Sequence, residues 1–347
     1  MKNSKRQVRT KSFGFHDQKE VFVIELKNDK GSRLRITNFG ATIMSLEIPD
    51  KNGRLTNVVI GFDTLKDYIE KSKNKESKFL GASIGRHAGR ISNGEINVNN
   101  TDYVLYQEEG IHLHGGKMGF DSKVWEVDSI DEEALLVSFS YLSEHLEEGY
   151  PGNLHTKVTY QLTNTNELKI TYKAVSDQDT VINLTNHAYY NLSGSDTIAN
   201  HILQLNSHSY LEINGKQLPT GKIKPVVNTK LDFLNPKRLN GLLEFGIIDN
   251  TLIFDQEKKV KATLYSQETG IKMDVHTNQP GVVIYTPEKF PEWNFRKAAR
   301  YNLFPAICFE VQNYPDAPSH SNFPSSFLKT GIPYENHSVF AFSILKD

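Results

Sequence analysis

The sequence contains one cysteine, no long apolar run and almost no net charge, and each absence excludes a class of protein. A single thiol, Cys308, cannot build a disulfide framework and argues against a thiolate metal site. The 40 basic residues nearly cancel the 41 acidic ones, which argues against nucleic-acid binding, because phosphate contacts need a basic face. The same balance argues against electrostatic membrane binding, and no apolar run approaches the roughly 18 residues that span a bilayer.

The N-terminal residues 1–20 are basic but are followed by no apolar core, so we expect no secretory signal. We expect residues 1–12 to form a flexible or edge segment. We also expect a soluble cytoplasmic protein, with neither nucleic acid nor a membrane as a partner. Cys308 lies in the apolar run AICFEV, which predicts a buried thiol.

Helical periodicity is also scarce, and only the short stretch TLKDYIEK (64–71) favours a helix. Alternating and β-branched segments recur instead, separated by turn clusters such as DKNGR, TNTNE and NQPG. The strand candidates are 34–49, 57–62, 134–142, 154–163, 168–176, 261–266, 281–286 and 338–345. This pattern predicts an all-β fold, a large antiparallel sandwich or barrel. Residues 217–250 are rich in loops, but no linker divides the chain, so we expect one domain over 1–347.

The segment GRHAGRISNGEI (85–96) is the first of four that concentrate polar chemistry. The overlapping stretch GASIGRHAGR (81–90) lacks the glycine spacing of a phosphate-binding loop. Arg86 and Arg90 lie four residues apart between glycines, and a guanidinium is a planar fork that suits hydroxyl pairs or carboxylates. A pair of surface arginines is the simpler interpretation of this segment alone.

The second segment is IHLHGG (111–116). In a strand, His112 and His114 would point to the same side, because side chains repeat every two residues. Two histidines on one face favour a metal site, and a structural hydrogen-bonding pair is the equal alternative.

The third segment, INLTNHAYYNLSG (182–194), reads as a strand that runs into a turn and carries His187. This histidine either caps the strand end by hydrogen bonding or transfers a proton. The fourth segment, FEVQNYPDAPSHSNFP (309–324), carries Glu310 in an apolar strand, with Gln312 on the same face. Glutamate is rarely buried without a partner, so it forms a structural salt bridge or serves as a general base.

Together these segments offer two assemblies. One is a pair of histidines with a glutamate that performs acid–base chemistry on a polyol. The other is a metal-binding β-barrel similar to cupins, but there the glutamate follows H-x-H closely, whereas Glu310 lies far along the chain. Metal ligation also needs three or more converging groups, so we predict no metal.

The four segments, in this order, resemble the aldose 1-epimerase (galactose mutarotase) family over nearly the whole chain. The matching motifs are GRHAGRI, HLHGG, NHAYYNL and FEVQNYPDA. The resemblance implies a supersandwich, an antiparallel β-sandwich, and interconversion of the α and β anomers of free aldoses such as galactose and glucose. It implies no cofactor and no metal. The expected partner is a small sugar, and the expected state is a monomer or a homodimer.

By motif position, the resemblance implies that His187 is the general acid and Glu310 the general base. Arg90 and His114 match residues that hold the sugar and its open-chain form, and Asp249 matches a substrate-binding aspartate. Tyr189 is expected to orient His187 or the sugar.

Three positions depart from the family pattern. Gly89 stands where asparagine is common, Ala188 where threonine is usual, and Val283 where glutamine is usual. These departures concern substrate preference more than the chemistry.

Other functions compatible with these residues stay open at this point. The chain could act on a disaccharide reducing end or a hexose 6-phosphate, for which Arg86 or Lys117 could supply positive charge. A glycoside hydrolase would use Glu310 and Asp249 as its carboxylate pair. A sugar-binding module without catalysis is the remaining alternative.

Overall fold

The computed structural model describes residues 6–72, 79–194 and 196–345, and antiparallel strands dominate it. Of the N-terminal segment predicted over residues 1–12, residues 1–5 lie outside the described residues. From Gln7 onward the segment belongs to the first strand. That strand is the edge of a five-stranded sheet, which follows chain order: β1 (Gln7–His16), β2 (Lys19–Lys27), β3 (Arg33–Thr37), β4 (Thr42–Pro49) and β5 (Leu55–Asn57).

The largest sheet among the described residues has nine strands, which come from residues 126–344. Its strands, in spatial order, are β11 (Glu126–Asp131), β12 (Leu136–Ser143), β13 (Leu154–Leu162), β14 (Glu167–Ser176), β28 (Tyr334–Ile344), β24 (Ile271–Thr277), β23 (Ala262–Tyr265), β18 (Ile202–Leu205) and β21 (Lys237–Arg238). In β13, inward side chains alternate with outward ones, as expected when one sheet face packs on a core.

A six-stranded sheet carries the fourth polar segment of the sequence. Its strands, in spatial order, are β17 (Tyr189–Tyr190), β26 (Ile307–Gln312), β25 (Gly281–Tyr285), β22 (Asp249–Ile253), β19 (Ser209–Ile213) and β20 (Pro219–Pro225). Cys308 is buried in β26, as predicted.

Short strand pairs and helices complete the described chain. The pairs are β6 (Ser83–Ile84) with β16 (Thr185–Asn186), β7 (Arg90–Ser92) with β10 (Ile111–Leu113), β8 (Glu95–Val98) with β9 (Thr101–Val104), and β15 (Thr180–Val181) with β27 (Phe327–Leu328). The α-helices are α1 (Leu65–Ser72) and α2 (Leu242–Phe245), and the 3-10 turns are Phe120–Ser122, Glu147–Gly149, Leu239–Gly241, Arg296–Ala298 and Ala317–Ser319.

One apolar core joins the three large sheets. Val158 of the nine-stranded sheet, Phe309 of the six-stranded sheet and Ile43 of the five-stranded sheet belong to the same buried cluster. The predicted all-β fold with a large antiparallel sandwich is therefore confirmed. In the described part of the chain, no helix is long and apolar enough to cross a membrane.

Most predicted strands and the predicted helix are present, but two strand predictions are wrong. The run 34–49 is a hairpin rather than one strand, because Gly40 and Ala41 have positive φ and turn the chain between β3 and β4. The run 57–62 forms only the end of β5 and two isolated bridges, at Val59 and Phe62. Its apolar side chains are buried by loop packing.

His87 is a buried polar group in the segment between β6 and β7. It is fully buried, and neither ring nitrogen makes a hydrogen bond of normal geometry. Burial, with the neighbouring His112, lowers the pKa of His87 to about 3. Burial likewise lowers the pKa of His112 to about 4 and that of His201 to about 3.

These histidines predict loss of stability in mild acid. In the unfolded chain, histidine has a pKa of about 6.5, so below this pH these side chains bind protons there but stay neutral in the folded protein. The free energy of unfolding therefore falls by up to about 1.4 kcal/mol per pH unit for each histidine. The substitution His87→Leu removes one such group. The change that it causes in the free energy of unfolding should therefore be about 2 kcal/mol more favourable at pH 5 than at pH 8. Urea unfolding at both pH values measures this difference, and an equal effect at the two pH values would contradict it.

Candidate active site

One face of the six-stranded sheet forms the floor of a pocket of about 220 Å³. In the ladder, Glu310 of β26 lies opposite Val283 of β25, which lies opposite Thr251 of β22. Directly opposed residues of antiparallel strands present their side chains to the same side, and all three line the pocket. The next rung places Tyr285 opposite Asp249, and both line the pocket as well.

His187 and Glu310 meet at this floor. The Nε2 atom of His187 lies 3.4 Å from Oε1 of Glu310, and both side chains are buried. The histidine follows β16 directly, and its backbone N–H donates to the carbonyl of Ala82 at 2.9 Å. Asn186 supports this corner, because its side-chain oxygen accepts from the Ala188 N–H at 3.1 Å and its amide donates to Gly81 at 2.8 Å.

The Glu310 carboxylate is held in a dry environment. Burial raises its pKa well above the ordinary value, and the negative charge of Asp249 raises it further, while Arg90 acts in the opposite direction. The opposing residue on β25 is the apolar Val283. A carboxylate whose pKa is raised toward neutrality is a stronger base than one in water.

Arg90 and Asp249 form the charged part of the pocket. Burial raises the pKa of Asp249, and the Arg90 charge opposes that rise. The motif PDA anchors β7, which carries Arg90, because the Asp316 N–H donates to the Arg90 carbonyl at 2.8 Å. The Asp316 carboxylate also accepts from the Ser92 N–H at 2.9 Å.

His114 presents a hydrogen-bond donor to the pocket. Its Nδ1 accepts a hydrogen bond from the Gly89 N–H at 3.1 Å, so in the neutral ring the proton lies on Nε2. Loss of water around the ring, followed by the charges of His187 and Arg90, lowers the pKa of His114 well below its ordinary value. The ring is therefore a neutral N–H donor.

The predicted same-face pair of His112 and His114 is not formed. β10 ends at Leu113, and His114 has a φ of 51°, so it leaves the strand. His112 is instead structural: it is buried, with Nδ1 2.6 Å from the Tyr106 carbonyl and Nε2 2.5 Å from the Tyr150 hydroxyl.

The interpretation of Arg86 and Arg90 as a surface pair is also wrong. Arg86 is buried and donates to backbone carbonyls of residues 143, 144, 151 and 152. Arg86 therefore links the segments 143–144 and 151–152 by hydrogen bonds. It does not line the pocket, whereas Arg90 does. Lys117 is exposed, and its ammonium lies over the Tyr106 ring.

Among the described residues, His114, His187 and Glu310 are close enough to hold a metal ion, with donor atoms within 4.8 Å of one another. The tautomer of His114 does not fit that role. A metal needs the lone pair of Nε2, but Nδ1 already uses its lone pair to accept from Gly89, so Nε2 carries hydrogen. The cluster thus offers two groups that can exchange protons, His187 and Glu310, beside a neutral donor.

Gly89 is a position where only glycine fits. Its φ is 80°, and a Cβ built there would lie 2.8 Å from Cβ of Pro315. An asparagine side chain at this position would clash with the Pro315 ring. In this chain the contribution of residue 89 to the pocket is its backbone N–H, which donates a hydrogen bond to His114.

Four aromatic rings surround the His187 imidazole. Tyr189 lies nearly parallel to it at 5.1 Å and Phe79 at 5.7 Å, while His114 and Tyr285 make edge contacts at 5.5 and 6.4 Å. Sequence reasoning found His114 and Tyr189 but missed Phe79, Tyr285 and Thr251. The period-two pattern of β22 and β25 could have indicated Thr251 and Tyr285, which share a face with Asp249.

Comparisons with known proteins agree with this geometry. Residues 23–341 match the family model described as aldose 1-epimerase. Galactose mutarotase from Homo sapiens is 36% identical over 322 residues, which cover 90% of this chain and 91% of that protein. The protein of the same name from Sus scrofa is 35% identical over 330 residues, or 92% and 93% of the two chains. The crystal structure of an aldose epimerase homologue from C. elegans has a TM-score of 0.86 and 31% identity, and covers 93% of this chain and 99% of its own.

The tautomer of His114 can be tested without substrate. We expect a long-range ¹H–¹⁵N spectrum to show His114 neutral, with hydrogen on Nε2, from about pH 6 to about pH 8, because its pKa lies well below the ordinary value. The spectrum of His114→Gln assigns the signals. Hydrogen on Nδ1 instead would contradict the structure and leave Nε2 open to a metal.

Proposed function

Because the chain belongs to the aldose 1-epimerase family, we propose that Glu310 is its general base and His187 its general acid. The enzyme is an isomerase that interconverts the α and β anomers of aldoses. The observation that carries the assignment is the buried approach of the two groups, with Nε2 3.4 Å from Oε1, at the floor of the pocket.

In the first half of the reaction, Glu310 takes the proton from the anomeric hydroxyl, and protonated His187 gives its proton to the ring oxygen. The bond between C1 and the ring oxygen breaks, and C1 becomes the carbonyl of the open-chain sugar. Rotation about C1–C2 then presents the other face of the carbonyl. Closure reverses the roles, so that both residues return to their starting protonation states.

Three further residues are proposed to hold the sugar during ring opening. The Nε2–H of His114 donates to a sugar oxygen, the Asp249 carboxylate accepts from hydroxyls, and the Arg90 fork donates to neighbouring hydroxyls. Support comes from their position in the lining of the same pocket. We propose that Tyr189, nearly parallel to the imidazole, orients His187.

The charge of the pocket favours a neutral aldose as substrate over a hexose 6-phosphate. Among the described lining residues, the guanidinium of Arg90 and the protonated His187 of the proposed mechanism stand against the carboxyl groups of Asp249 and Glu310, so the pocket carries no surplus of positive charge. A phosphate dianion would meet those carboxylates, and neither Arg86 nor Lys117 lines the pocket. Galactose and glucose are the proposed substrates, and two relatives are named galactose mutarotase.

We further propose that the enzyme works as one domain over 1–347, as a monomer or a homodimer in the cytoplasm, with no nucleic-acid or membrane partner. The match of the family model to residues 23–341 supports the single domain. The near-zero net charge of −1 and the single, buried cysteine agree with the proposed location and partners.

The roles of Glu310 and His187 predict the effect of two substitutions. Glu310→Gln and His187→Asn each remove a proton-transfer group but preserve shape, so kcat should fall by about 10²–10⁴. Polarimetry of freshly dissolved α-D-galactose gives kcat, and thermal unfolding checks that each variant is folded.

Two substitutions outside the pocket serve as matched controls. Glu335→Gln changes an exposed glutamate and His276→Asn a half-buried histidine of β24. Both should retain native activity. If either pocket variant also kept near-native kcat, the role assigned to that residue would be wrong.

A further inference from the structure

Phe79 contacts both pocket histidines. Its ring lies 5.7 Å from the His187 ring with an interplanar angle of 27°, and 4.8 Å from the His114 ring with an angle of 68°. Phe79 also lines the pocket. The Phe79 ring thus contacts both His187, the proposed acid, and His114, the neutral donor.

The backbone holds this ring in an uncommon conformation. Phe79 has a φ of 52°, which a bulky residue rarely adopts. Its carbonyl accepts from the Ala82 N–H at 3.0 Å, which closes a turn through Gly81, whose φ is 72°. A Cβ at Gly81 would lie 2.0 Å from the Ile43 carbonyl oxygen, so the turn requires glycine there. Strained residues of this kind cluster at functional sites.

The same turn is hydrogen-bonded to the chain around His187. The Gly81 N–H donates to the His187 carbonyl at 3.0 Å, and the His187 N–H donates to the Ala82 carbonyl at 2.9 Å. The Gly81 carbonyl also accepts from the Asn186 amide at 2.8 Å. The turn that carries Phe79 is therefore hydrogen-bonded to both the N–H and the carbonyl of His187.

We propose that Phe79 is a positioning residue, which holds the His187 imidazole so that Nε2 stays directed at Glu310 and at the ring oxygen of the sugar. This inference rests on the proposed role of His187 as the acid. The torsion that rotates an imidazole about its Cβ–Cγ bond has broad minima, so packing must restrict it. A small misplacement of a reacting group lowers the rate strongly, while binding of the ground state changes little.

The test compares Phe79→Leu, which removes the flat ring, with Phe79→Tyr, which keeps it. For Phe79→Leu we expect kcat to fall about 10-fold or more, with KM within about threefold of the native value. Phe79→Tyr should restore most of kcat. Phe139→Leu, a buried phenylalanine of β12 in the sandwich core, controls for a general loss of packing and should keep native kcat.

The double variant Phe79→Leu/His187→Asn separates positioning from direct contact with the sugar. If Phe79 acts through His187, Phe79→Leu causes no further loss of kcat in the His187→Asn background. A full additional loss there, or an effect on KM alone, would overturn the proposal. Native kcat in Phe79→Leu would also overturn it and leave the proposed role of His187 intact. Native kcat in His187→Asn would instead refute the role proposed for His187.

Discussion

Removal of the Glu310 carboxylate from water is the constraint on which the rest of the site depends. Burial of an ion costs roughly several kcal/mol even after relaxation, and a carboxylate left unpaired would simply bind a proton. The charge of Arg90 offsets part of this cost. The Nε2 atom of His187 lies 3.4 Å from the same carboxylate. The groups around this carboxylate are therefore the groups that the proposed ring-opening reaction needs beside it.

This arrangement also requires distant parts of the chain to meet. The six-stranded sheet supplies Glu310 and Asp249 on one face, and its continuous ladder fixes their spacing. Arg90 and His114 come from β7 and the end of β10, outside that sheet. The contact between Asp316 and β7 links the two sides, because the segment after β26 binds the backbone of Arg90 and Ser92. The polar motif that follows Glu310 thus positions β7, which carries Arg90.

Much of the fold followed from sequence periodicity, because period-two alternation reports burial of one sheet face. The runs at β13, β14 and β28 were predicted for this reason. The run 34–49 resembles one strand because its turn, residues 38–41, includes the apolar residues Phe39 and Ala41, and only Asn38 and Gly40 indicate a turn. The strand prediction for 57–62 is wrong because a buried loop can have the same apolar composition as a strand.

The site was predicted in part. The pocket contains His187, Glu310, Arg90, His114, Asp249 and Tyr189 together, while their chemical roles stay predictions. The positions of Arg86 and His112 could not be predicted, because burial of a charged or polar side chain depends on partners from distant loops. Phe79 lies in the stretch ESKFLG (76–81), where no periodicity distinguishes it, and its contact with His187 arises only from the turn at Gly81.

The central claim is that a buried glutamate and a histidine catalyse mutarotation without a metal. Its most direct test is polarimetry of freshly dissolved α-D-galactose in buffer with a chelator, with kcat/KM measured as a function of pH. We expect faster approach to the same final rotation, and loss of activity as pH falls through a Glu310 pKa that lies above its ordinary value of about 4.5. Dependence on a metal, or full activity down to pH values below about 4, would contradict this account.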